Sequence, residues 1–291
     1  MALDRNQLLK PAKKLRKLLR KIDNNSTPEE VHDLRTDSRR FEAVFDALSL
    51  DKQGIDKAIL KDLERLRKRA GKVRDMDVLT GFASRVHPKG EEDCSVRLLE
   101  HLGARREKEA AKLSAEASDD RRRVRKELKR TTAVLKKLTR KSGDAKGEND
   151  AAAEAAASAV KMAARLGTPP RLTRSNLHPY RLRVKELRSV LRVASNSEDS
   201  RFVRDLGDLK DAIGEWHDYE ELVSIAQKVL DHPTGCRLLA ELKRLARQKY
   251  EDAIGQAQRL RKTYLRGKRA SAGSARTARP KVWKAISALA G

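Results

Sequence analysis

The sequence predicts an all-α protein built of two antiparallel four-helix bundles, and three observations carry that prediction. Leu, Ala, Lys, Arg and Glu dominate, while aromatic residues make up only 3% of the chain, a composition of strong helix formers. Apolar residues recur at helical spacing along almost the whole length. The pattern also restarts halfway, with three short stretches of the first half returning in the same order in the second. A chain of 291 residues suits one large domain or two of ordinary size, and the restart favours two related halves.

The elements follow in order. A basic helix over about 3–22 carries Leu8, Leu15, Leu18 and Leu19 as its apolar stripe. The second helix starts at NNSTPEE, with Thr27 as N-cap, Pro28 in the first turn and Glu29 and Glu30 against the helix dipole; it runs to about 49. A third covers about 54–80 with Gly71 inside it, and about 92–140 forms one long helix or two in line, with a break near SDD at 118–120. These make up a first half, 1–140. KSGDAKGEND at 141–150 is a linker by composition. The second half, 151–266, opens with AAAEAAASAVKMAARL. The loop GTPPRLTRSN then leads to a helix beginning near His178. Another helix spans about 199–230, HPTG at 232–235 breaks it, and a fourth runs to about 266. Residues 267–291 are a basic tail in which KVWKAISALA can form a last short helix.

The restart is visible in particular residues. VHDLRTDSRRF (31–41) returns as LHPYRLRVKEL (177–187), so that His32 meets His178, Arg35 meets Arg181 and Arg39 meets Lys185, an offset of 146. GKVRDMDVL (71–79) returns as GEWHDYEEL (214–222), pairing Gly71 with Gly214, Asp75 with Asp218 and Asp77 with Glu220 at an offset of 143. Arg97-Leu98-Leu99 returns as Arg237-Leu238-Leu239 at an offset of 140. The small drift is what loops of different length produce. Duplication with a pseudo-twofold relation is the reading.

On a helical wheel with His32 at zero, Arg39 lies about 20° away and Arg35 about 60° away. Leu34, Phe41, Phe45 and Leu48 fall on the opposite side. In the second copy His178, Arg181, Lys185 and Arg188 form a stripe, and Tyr180, Leu187, Leu191 and Ala194 face away from it. One charged stripe reads as the wet side of an amphipathic helix. Two features favour a binding surface here. Solvated faces mix signs, whereas this one is nearly all positive and repels itself; and the histidine recurs, although water has no use for it. A structural histidine stays open for either copy. Further cations extend the stripe into a track. They are Arg40, then Lys13, Lys14, Lys17, Arg20 and Lys21 within the acid-free KPAKKLRKLLRK, and RRRVRKELKR at 121–130. Arg74, Asp75 and Asp218 are candidates for orienting these cations from behind, with helix termination or a local ion pair as the plainer alternative.

Lys and Arg number 67 against 42 Asp and Glu, a net charge of +25 that selects polyanionic partners: nucleic acid, an anionic membrane or a phosphate polymer. The scarcity of aromatic platforms argues against single-stranded nucleic acid. Cys94 and Cys236 form no metal-ligand spacing and no disulfide framework, so a reduced, cytoplasmic setting in a bacterium or archaeon is expected. No apolar run is long enough to span a membrane, and the N-terminus lacks a secretory apolar core.

The pattern H-x-x-R-x-x-x-[RK] on a helix, then G-x-x-R-D-x-D-V-L, then the whole plan again, resembles the CHAD family, the conserved-histidine α-helical domains. The carrying residues are His32, Arg35, Arg39, Gly71, Arg74, Asp75 and Asp77, then His178, Arg181, Lys185, Gly214, Asp218 and Glu220. The resemblance implies two four-helix bundles with a basic central cleft, binding of inorganic polyphosphate, and localisation to polyphosphate granules. The second copy departs from the pattern at His217, opposite Arg74, and at Glu186, opposite Arg40, which predicts a weaker half-site there. The chemistry agrees with the implied ligand. Arg offers bidentate forks to phosphate oxygens, Lys offers mobile point charges, and phosphate favours the protonated histidine.

A polyphosphate-processing enzyme is the contrasting reading. The E-x-E-x-K signature of the CYTH triphosphatase domain that accompanies some CHAD domains is absent, and the basic faces hold no acidic cluster suited to two metals. The sequence thus points to a non-catalytic binder without a cofactor, with charge-driven nucleic-acid binding as the alternative. A metal role for His32 and His178 is weaker, because phosphate-seeking cations surround both.

Overall fold

Every regular element in the computed structural model of the chain is helical. The structure describes residues 5–141, 159–195, 201–230 and 235–265, and no strand occurs among them. The helices are α1 (Arg5–Leu18), α2 (Pro28–Ala47), α3 (Ala58–Ala83), α4 (Glu92–Lys141), α5 (159–165), α6 (Arg174–Ser195), α7 (Arg201–Val229) and α8 (Arg237–Leu260), the last continued by a π-turn, Arg261–Leu265. Among the described residues no helix is long and apolar enough to cross a membrane. All but the first residue of the expected linker, the first part of the helix from 151, the break at 232–234 and the tail 267–291 lie outside the described residues.

The local start signals act as the residue types dictate. Thr27 caps α2, its hydroxyl accepting from the Glu30 N–H while the Glu30 carboxylate accepts from the Thr27 N–H, and Pro28 occupies the first turn. Two expectations are corrected. α6 begins at Arg174, four residues before His178: Asn176 accepts from the Thr173 N–H and ties the first turn, so Pro179 lies in the second turn. There it deprives the Ser175 carbonyl of its helical partner, and exposed Ser175 meets solvent. α4 does not break at 118–120. It runs unbroken for 50 residues, about 75 Å at 1.5 Å per residue, because buried Asp120 is held by Arg65 of α3 rather than ending the helix. α1 also ends at Leu18, short of 22.

The chain divides into two compact units, Met1–Ala145 and Lys146–Gly291. In the first, α1 packs on α2, α2 on α3, α3 on α4 and α4 back on α1, closing a ring around Leu15, Leu19, Leu34, Phe41, Phe45, Leu66 and Leu128. In the second, α6 packs on α7 and α7 on α8 around Tyr180, Leu187, Leu206, Ile213 and Trp216. Each such apolar side chain contributes roughly 1.5–3 kcal/mol by leaving water.

Charge is also used between helices. Asp62 and Asp120 are both buried between α3 and α4. Arg65 donates to Asp120 at 2.6 Å and to Asp62 at 2.9 Å, and Arg123 donates to Asp62 at 3.0 Å and also to Asp120. Burial alone would raise the Asp120 carboxyl, but the hydrogen bonds and charges of Arg123 and Arg65 outweigh it and hold it below the usual range. A carboxylate so depressed stabilises the fold above its unfolded value of about 4, and that stability is lost as the pH falls through the lower folded value. Asp120→Asn should therefore cost about 1–3 kcal/mol at pH 7, and the difference from wild type should shrink towards pH 3. Denaturant unfolding at the two pH values measures both.

Candidate functional site

The two histidine helices present their cations against a neighbouring helix in each unit. On α2, Arg35 is half-buried: its guanidinium lies over Gly71 of α3, 4.0 Å from where a methyl group would stand, and its Nη1 is 4.0 Å from the exposed Asp75 carboxylate. On α6, Arg181 is docked more tightly on α7. Its Nε donates to the Lys210 carbonyl at 3.1 Å, and a methyl group at Gly214 would lie 3.1 Å from its Nη2. One heptad further on, Arg188 repeats the arrangement, with Nε donating to the Val203 carbonyl at 3.3 Å and Gly207 beneath it, 3.1 Å from Nε if a methyl were present. Each glycine lies four residues beyond the carbonyl that accepts the arginine. The missing side chain is what lets a planar guanidinium reach the spare lone pair of a mid-helix carbonyl.

This corrects the expectation that the stripe is uniformly wet. Arg35, Arg181 and Arg188 are half-buried at helix contacts, because a helical wheel shows only the direction of a side chain and not the groove it enters. His32, Arg39 and Arg40 are exposed, and Lys185 is half-buried. His32 Nε2 is 3.4 Å from the Thr36 hydroxyl, and Arg40 donates to buried Asp37 at 3.3 Å. Lys13 and Lys17 of α1 and Arg20 just past its end are exposed, whereas Lys14 of α1 stands 3.8 Å from both Asp33 and Asp37 of α2, and Lys21 after α1 is 3.5 Å from Glu30. Those two lysines are inter-helix ties as well as charges.

His178 differs from His32. It is half-buried, its ring centroid is 4.7 Å from that of His217, and its Nδ1 is buried without a hydrogen-bond partner. Burial first, then the charges of His217 and Arg181, push it below the ordinary histidine value. Two imidazoles fall short of the three or four donors of a protein zinc site, and no carboxylate or thiolate of their own unit joins them among the described residues. Arg74 is half-buried on α3 and Asp218 half-buried on α7. The acids two residues beyond Asp75 and Asp218 are tied elsewhere. Asp77 accepts from Arg106 Nε at 2.7 Å, and Arg106 also donates to the Ser26 carbonyl just before α2. Glu220 is 3.5 Å from Arg174 at the start of α6 and accepts from the Trp216 indole. Both ties hold the entry of a histidine helix.

Sequence reasoning missed Gly207. The signal for it was legible, since Gly207 and Gly214 repeat at the seven-residue spacing of Arg188 and Arg181, which sets two arginines over two gaps.

The profile of the family described as CHAD domain matches residues 6–227, which takes in α1 to nearly the end of α7. No curated protein matches the chain. Among solved structures, the crystal structure of the CHAD domain from the plant Ricinus communis is similar in fold, with a TM-score of 0.59 at 16% identity over 90% of this chain and 93% of that one. With a profile match over well more than half its length and the histidine helices where its motifs lie, this chain belongs to the CHAD-domain family.

Proposed function

We propose that the protein binds inorganic polyphosphate without cleaving it, through the cationic faces carried by α2 with α3 and by α6 with α7. The observation that carries the reading is the docking of Arg35 over Gly71 and of Arg181 over Gly214. A guanidinium pinned through its own helix contact loses little further freedom when its remaining N–H groups meet phosphate oxygens. Exposed Arg39, Arg40, Lys13 and Lys17 add further positive charge for a ligand that has no bases to read. Asp75 stands 4.0 Å from Nη1 of the site's own Arg35, where it helps to orient the guanidinium. The same reading puts the protein in the cytoplasm at polyphosphate granules.

We also infer that the two halves arose by duplication. Beyond the paired arginine and glycine, Arg121 donates to the Ile22 carbonyl after α1, and Arg261, 140 residues later, donates to the carbonyls of Gly167, Pro169 and Pro170 after α5. Asp62 bonds Arg123 of α4, and Asp205, 143 residues later, accepts from the Tyr264 hydroxyl after α8 at 2.8 Å.

Arg39→Ala with Lys185→Ala should weaken long-chain polyphosphate binding on the order of tenfold at about 0.15 M salt and flatten its salt dependence. Adding Arg35→Ala and Arg181→Ala should lower the melting temperature as well, because those two are packed. Calorimetric titration with polyphosphate and with duplex DNA checks the pair. Undiminished polyphosphate binding, or tighter binding of DNA at matched charge, would sink the reading.

A second outcome concerns pH. Phosphate oxygens beside His178 favour its imidazolium and raise a value that burial, His217 and Arg181 hold down in the free protein. Binding then takes up a proton, so affinity should rise as the pH falls through the ordinary histidine value of about 6.5. Titrations between pH 8 and pH 6 should show this rise in wild type and a shallower one in His178→Gln.

A further inference from the structure

In the ring of the first unit, the α1·α4 groove lies across from the α2·α3 groove that carries the histidine stripe. Four arginines line it: Arg16 in the last turn of α1, Arg20 two residues past its end, and Arg121 and Arg125 one turn apart on α4. The Nε atoms of Arg121 and Arg125 are both buried and have no acceptor among the described residues. Arg121 is fixed in place by its Nη2, which donates to the Ile22 carbonyl at 3.0 Å. Burial first, and then the like charges of Arg20, Arg16 and Arg121, push the Arg125 guanidinium below its usual value, and no carboxylate acts on it. The contrast with the other side of α4 is sharp. Arg123 there is matched by Asp62 and Asp120, whereas among the described residues no carboxylate is set against Arg125 in the arginine groove.

Four like charges with two orphaned, buried N–H groups are an unfavourable arrangement for an empty surface. A multiply charged oxyanion relieves both faults at once, since it supplies negative charge and several acceptors to planar forks. We propose that Arg16, Arg20, Arg121 and Arg125 form a second oxyanion site on the first unit, taking a phosphoryl group of an inorganic phosphate chain. The second unit does not repeat it. There the residue matching Arg121 is Arg261, which spends its guanidinium on three backbone carbonyls, and Leu265 stands opposite Arg125. The site does not depend on the histidine stripe, because the two grooves share no residue.

The test uses the full chain and inorganic triphosphate, which is short enough to report one groove at a time. The variants are Arg16→Gln/Arg20→Gln/Arg125→Gln and, separately, the stripe variant Arg39→Ala/Lys185→Ala. Calorimetry of wild type should resolve a triphosphate site that persists in the stripe variant and is weakened on the order of tenfold in the triple variant. Without anion, the triple variant should melt no lower than wild type, since repulsion has been removed, and triphosphate should no longer raise its melting temperature. A triphosphate isotherm unchanged by the triple substitution overturns the proposal. So does a triple variant that melts lower in the absence of anion, which would make the arginines structural, or a groove that responds to duplex DNA and not to triphosphate. Loss of long-chain binding in the stripe variant alone would bear on the stripe and leave this groove standing.

Discussion

Sixty-seven basic side chains have to fold beside 42 acidic ones, and where the acids go decides much else. In the first unit several are drawn to helix contacts: Asp62 and Asp120 between α3 and α4, Asp77 against Arg106, Asp37 against Lys14 and Arg40, and Glu42 against Arg67. An ion pair at such a contact is screened less than one in open water, so each carboxylate offsets more repulsion there than on the surface. The consequence is a division of the surface. Seams between helices are electrically matched, and outer grooves stay strongly positive. A protein meant only to be stable has no reason to keep the second kind.

The arginine–glycine contacts couple this electrostatics to packing. Arg181 and Arg188 reach α7 only because Gly214 and Gly207 leave the backbone bare, and each then spends one N–H on a carbonyl that already serves its own helix. The contact holds α6 to α7 and at the same time orients the cation. In the second unit the same atoms therefore join the helices and orient the cation, which separates these arginines from exposed ones such as Arg39.

Positions of the two units that match in sequence differ in chemistry. At the position of Arg188 the first unit has Glu42, so a side chain that donates to a carbonyl in one unit is replaced in the other by one that accepts from Arg67. His32 is exposed beside Thr36, whereas His178 is half-buried against His217, which occupies the place of Arg74. Burial, then the charges of His217 and Arg181, hold the second histidine below the ordinary histidine value.

The sequence by itself determined the helices, the cap at Thr27, the family and the repeated arginine–glycine pairs, because periodicity, capping and motif spacing are local properties of the chain. It also set Leu34, Phe41, Phe45, Tyr180 and Leu187 on the apolar side, and all are buried. Tertiary structure decided which charges are free to act. A wheel puts Arg35, Arg39, Arg181 and Lys185 on one stripe, yet a long side chain can swing into whichever groove has an acceptor and room, and those are supplied by another helix. Lys210, Val203, Gly207 and Asp75 lie 15 to 40 residues beyond the arginines they meet, so only packing brings them under the stripe. The same holds for the α1·α4 groove. Its four arginines belong to two runs that read as ordinary basic helices, and they become one site only when α4 closes the ring against α1.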